Sequence, residues 1–83
     1  MPYIIKDIRP DLYTYLAKHS LIDKWHKAES LLANDLSHPS LHFKKIVLKG
    51  TAFYSFRLDK KYRGICAVHG NIIEVIVITA HYQ

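Results

Sequence analysis

The sequence predicts an α+β fold: a single domain over residues 1–83, with an N-terminal helix pair packed on one face of a twisted, mostly antiparallel five-stranded sheet. Three observations carry this. Leu21, Trp25, Ala28, Leu32 and Leu36 recur at spacings of three and four, the stripe of a helix buried on one side. Four β-branched and aromatic runs crowd residues 43–79, separated by short turns. An Ile/Tyr-rich run precedes the helices, so the element order is β-α-α-β-β-β-β.

Each element has a local reason. Residues 3–8 read as the first strand. Pro10 suits the first turn of a helix, where its missing N–H costs nothing, and Asp11 favours the same positive end. That helix runs to Lys18 and His19, cations suited to a helix C-terminus. Ser20 reads as the N-cap of a second helix, with Asp23 three residues on. Trp25 is expected to anchor that helix on the sheet. His38-Pro39-Ser40 ends it. Strands follow at 43–48, 53–58, 62–68 and 72–79, with turns at 49–51, 59–61 and 69–71.

The totals exclude several classes. A hydrophobic share of 49% is too high for a disordered chain. The longest apolar run, residues 72–80, contains Glu74 and is too short to span a bilayer. Lys6, Asp7 and Arg9 interrupt the first apolar run, which argues against a secretory signal. One cysteine, Cys66, permits no internal disulfide and fits a reducing compartment. Mid-strand among apolar residues, it reads as a small core side chain. The expected location is the cytoplasm. Twelve Lys and Arg against seven Asp and Glu give a net charge of +5, which makes a polyanion or an acidic protein the natural partner. Six histidines are present, but none has metal-ligand spacing, so no metal site and no cofactor are expected.

The candidate chemistry lies in the last strands. A three-residue loop at 59–61 sets Arg57 directly opposite Arg63. Like charges so opposed repel, which an anion between them or a screening group such as Asp59 would relieve. Two guanidinium groups on one sheet face suit bidentate phosphate recognition. The next turn decides what joins them. A three-residue loop at 69–71 puts Ile73, Val75, Val77, Thr79 and His81 on the face of Arg63, whereas a loop of Gly70-Asn71 alone removes His81 from it. Tyr82 follows His81. Imidazole titrates near neutral pH and suits general acid–base work. Lys44, Lys45, Lys49, Lys60, Lys61 and His42 could surround a nucleic-acid backbone.

The segments LHFKKIVLKG, FYSFRLDKKYRGICAV and GNIIEVIVITAHY resemble the RelE/ParE superfamily of bacterial toxin–antitoxin toxins, in particular the YoeB and RelE ribonuclease branch. The resemblance implies metal-independent cleavage of mRNA, commonly in the ribosomal A site, and inhibition of translation. By position, Arg63 matches the arginine at the scissile phosphate, Arg57 a nearby basic residue, and His81 with Tyr82 the terminal pair acting in proton transfer. The implied partner is an acidic antitoxin with an amphipathic helix, through which alone operator DNA would be reached. No membrane partner is implied. Two departures stand out. No carboxylate occupies the region of His42, Lys44 and Lys45, where YoeB-like toxins place a glutamate, and Cys66 replaces an aromatic. The general base is expected to be His81, with His42 as second candidate. A ParE-like gyrase inhibitor without catalysis, and an inactive antitoxin-binding relic, are the alternatives.

Overall fold

The computed structural model describes residues 2–80 of the chain; His81 and Tyr82 lie outside the described residues. The elements are β1 (Ile4–Ile5), α1 (Pro10–Lys18), α2 (Ile22–Asn34), a short 3-10 turn (Pro39–Leu41), β2 (Lys44–Leu48), β3 (Thr51–Arg57), β4 (Arg63–His69) and β5 (Ile72–Thr79). The strands form one sheet in the order β1-β5-β4-β3-β2. All neighbours are antiparallel except β1 with β5, and the helix pair carries the chain from β1 at one edge of the sheet to β2 at the other. The expected α+β architecture is thus observed.

The apolar stripe does what its spacing requires. Leu21, Trp25, Ala28 and Leu32 are buried, and they pack with Leu12 and Leu16 of α1 onto Phe56, Cys66, Ile73, Val75 and Ile78 of the sheet. The Trp25 and Phe56 rings lie 6.2 Å apart, so the tryptophan anchors α2 on β3 as expected. Leu36 falls beyond the end of α2 but still packs against the core. Cys66 is fully buried, and burial alone pushes its thiol up to about 12. A thiol reagent should therefore leave the native protein unmodified and label Cys66 only on unfolding; rapid native labelling would show that β4 opens readily.

Gly64 carries a packing constraint. A Cβ built there would overlap Cζ, Cε1 and Cε2 of Phe56. Phe56 and Gly64 are cross-strand partners, so the ring lies over the backbone of β4 where a side chain is missing.

Three local expectations are corrected, and one left open is decided. β1 is only two residues long; the Lys6 N–H still donates to the Ile73 carbonyl at 2.9 Å, and the chain then turns toward α1. Ser20 is not the N-cap of α2: it takes a left-handed φ of 57° in the tight turn between helices, and Leu21 occupies the cap position without a side-chain bond. The turn after β2 is two residues, Lys49-Gly50, both with positive φ, the geometry that matches strand twist in a short hairpin. The last turn is also two residues, Gly70-Asn71, so His69 pairs with Ile72.

That short turn does not have the consequence its parity suggests. Cys66 pairs with Val75 but Ile65 pairs with Val77, leaving Ile76 as an extra residue. This bulge flips the alternation back. Ile73 and Val75 therefore point to the core, while Val77 and Thr79 lie on the face of Arg63.

Candidate functional site

The helices cover one face of the sheet and leave the other open. Cross-strand pairing sets which side chains share the open face. Arg57 is the partner of Arg63, and Arg63 is in turn the partner of Thr79. Ser55 is the partner of both Ile65 and Lys44. The open face thus carries Lys44, Ser55, Arg57, Arg63 and Thr79 within adjacent register positions. On the same face Val77, which pairs with Ile65, is 38% exposed beside the cations, while Ile72, 41% exposed, pairs with His69 at the other end of β5.

Arg57 is half-buried and held at two points. Its Nε donates to the Asp59 carbonyl at 3.1 Å, and its Nη1 lies 3.1 Å from His42 Nε2. A guanidinium has only donors, so His42 Nε2 must be the acceptor and the ring proton sits on Nδ1. His42 reaches this position because its backbone is left-handed, with φ 47°, directly after the Pro39–Leu41 turn. That turn is itself closed by the His38 side chain, whose Nδ1 accepts from Ser40 N–H at 3.1 Å.

The loop between β3 and β4 is built on Asp59. Its carboxylate accepts from the N–H groups of Lys61 and Tyr62 at 2.8 Å each, and from Lys24 of α2 at 2.9 Å. Partial burial raises the carboxyl, but these bonds outweigh it and hold the group at about 2, against an ordinary 3.8. A depressed carboxyl contributes stability above its unfolded value, and that contribution is lost as pH falls through the folded one. Asp59→Asn should therefore cost about 1–3 kcal/mol at neutral pH and flatten the acid limb of the stability curve between about pH 4 and 2. Urea titrations at several pH values check this; parallel acid limbs for the two proteins would contradict it.

The same loop brings Tyr62 beside the site. Its hydroxyl lies 3.1 Å from His19 Nδ1, and its ring packs edge-on to Tyr15 at 6.2 Å. The end of α1 therefore clamps the start of β4, just before Arg63. Beyond the sheet end opens a cleft of about 490 Å³ lined by Lys24, Ser40, Arg57, Leu58, Asp59 and Lys60.

The structure brings some candidates together and separates others. Arg57, Arg63, His42 and Lys44 converge around the open face and its end, and Lys60 lines the adjoining cleft. Lys45 pairs with Tyr54 and so projects to the opposite side of β2. Lys49 sits in the hairpin at the far end of β3 from Arg57. Lys61 folds over the Tyr62 ring, its Nζ 5.4 Å from the centroid. Glu74 pairs with Lys6 at 3.5 Å and His69 at 3.8 Å, away from the arginines. Sequence reasoning missed Ser55, whose only signal is a small polar residue amid a strand of aromatics. Among the described residues no group of three or more His, Cys, Asp or Glu is placed to hold a metal ion. Among them, too, no helix is long and apolar enough to cross a membrane.

No family model matches the sequence, and no curated protein matches it in sequence. Solved structures do match. The archaeal RelE-RelB complex from Pyrococcus horikoshii OT3 contains a chain with a TM-score of 0.72 at 18% identity, covering 100% of this chain and 99% of that one. The YoeB dimer from Staphylococcus aureus gives a TM-score of 0.66 at 19% identity, covering 99% and 98%. At these TM-scores and with end-to-end coverage, this chain shares the fold of RelE and YoeB.

Proposed function

We propose that the protein is the toxin of a toxin–antitoxin pair and an endoribonuclease that cleaves mRNA on the ribosome. The observation that carries this reading is the opposed pair Arg57 and Arg63 on the uncovered face of a RelE/YoeB-type sheet. Direct opposition of two cations costs stability, and a bound phosphodiester offsets that cost.

The proposed reaction uses the RNA's own 2′-hydroxyl as nucleophile. A base takes its proton, and the oxygen attacks the adjacent phosphorus in line. Arg63 and Arg57 stabilise the negative charge that develops on the phosphoryl oxygens. An acid protonates the departing 5′-oxygen, leaving a 2′,3′-cyclic phosphate and a 5′-hydroxyl. His81 and Tyr82 are proposed for the proton transfers, the base being His81 or, as second candidate, His42. His42 would have to release Arg57 to act as base, because its accepting nitrogen already faces Arg57 Nη1 at 3.1 Å. Dependence on the 2′-hydroxyl makes the activity specific for RNA.

The proposed partner is an acidic antitoxin. The RelE of Pyrococcus horikoshii was solved with RelB, and here the cationic open face with the exposed Val77 beside it suits an acidic segment with an amphipathic helix that orders as it binds. The cytoplasm, where mRNA is translated, is the proposed site of action.

A cell-free translation reaction run beside a gyrase supercoiling assay tests the proposal. Loss of protein synthesis with cut mRNA is expected, and supercoiling should continue. Blocked supercoiling with intact mRNA would replace this reading with gyrase inhibition. No effect in either assay would leave only antitoxin binding.

A further inference from the structure

Ser55 is fully buried, and its hydroxyl is the one buried side-chain polar atom without a hydrogen-bond partner among the described residues. Buried hydroxyls are nearly always paired, because an unpaired one is destabilising. Its position is specific. Ser55 lies on the open face, with Lys44 opposite on β2 and Ile65 opposite on β4. Arg57 follows two residues along the same strand, and Arg63 is its diagonal neighbour across β4.

Resting on the proposed ribonuclease function, we infer that Ser55 is a further substrate-binding residue, whose hydroxyl donates to a phosphate oxygen of the RNA held by Arg57 and Arg63. In the free protein the hydroxyl is shut off from solvent. When a phosphodiester binds at the arginine pair, the side chains that cover Ser55 move aside and the hydroxyl gains the partner it lacks. The unpaired state is then a cost carried by the free protein and relieved on binding, as polar groups in sites often are.

The test is single-turnover cleavage of ribosome-bound mRNA together with thermal melting, on the intact chain. Ser55→Ala should melt at the same temperature or higher, because it removes an unsatisfied group. It should cleave about tenfold more slowly or worse, the loss of one hydrogen bond to a charged group. Ser55→Cys keeps the volume but is a weak donor, and should share the defect. Arg63→Ala is the control for the site. If both Ser55 variants cleave at the unaltered rate while Arg63→Ala does not, the inference about Ser55 is wrong and the ribonuclease reading stands. A melting temperature that falls in Ser55→Ala would mean the hydroxyl has a structural partner, and also overturns it. Absence of cleavage by the unaltered protein removes the ribonuclease reading, and this inference with it.

Discussion

Arg63→Ala is expected to lower the rate of RNA cleavage by about 10²–10³ while leaving the protein folded. The reasoning has two parts. Arg63 opens β4, opposite Arg57 and Thr79, so its backbone is fixed by pairing on both sides and does not depend on the side chain. The side chain contributes charge where the proposed phosphoryl group becomes more negative, and transition-state charge is where a fixed cation has its largest effect. Removing one member of a like-charged pair also relieves repulsion, which offsets the loss of the side chain's own contacts. Arg63→Lys keeps the charge but loses the planar fork, and should fall between the two. Equal cleavage rates for Arg63→Ala and the unaltered protein would remove Arg63 from the site.

The second large effect concerns stability. Gly64→Ala puts a methyl group into the Phe56 ring, which is fully buried and packed against Trp25. The ring has no free space to enter, so β3 and β4 must separate or the Trp25 contact must shift. Overpacking of this kind costs about 1–3 kcal/mol. In a domain of this size each kcal/mol lowers the melting temperature by about 4–8 °C. Because Gly64 follows Arg63, the same shift should disturb the arginine pair and lower cleavage as well. Phe56→Leu makes room, so the double variant Gly64→Ala/Phe56→Leu should be more stable than the two single losses added together. Additive losses would mean the glycine is needed for another reason.

Much of this was legible before the structure. The helix pair, the four hairpin-linked strands and the burial of Trp25 and Cys66 follow from spacing, because a stripe at three and four and alternation at two have few stable solutions. The opposition of Arg57 and Arg63 was legible too. It depended on one loop, and Asp59 accepting from the N–H groups of Lys61 and Tyr62 fixes that loop's length locally.

The rest was not legible, for identifiable reasons. The last hairpin turn is shorter than a symmetric reading of His69-Gly70-Asn71 suggests, and the bulge at Ile76 cancels the parity change. Nothing in a run of Ile and Val marks which residue is the extra one. That choice follows from packing Val75 and Ile78 against the helices while keeping Thr79 across from Arg63. The His42–Arg57 contact depends on a left-handed backbone at His42, a conformation no sequence rule assigns to histidine after a Pro-Ser-Leu turn. Ser20 failed as a cap because the two helices are joined too tightly to leave it an extended backbone; its φ of 57° is the left-handed turn that such a short connection demands. The solitary state of the Ser55 hydroxyl arises only from the register of three strands.

The most direct measurement is the chemistry of the cut ends. Ribosomes carrying a short mRNA are treated with the protein, once with ordinary ribose throughout and once with a single 2′-deoxyribose on the 5′ side of the cut. The account predicts 2′,3′-cyclic phosphate and 5′-hydroxyl ends from the first and loss of that cut in the second. Equal cutting of both, or 5′-phosphate products, would contradict it.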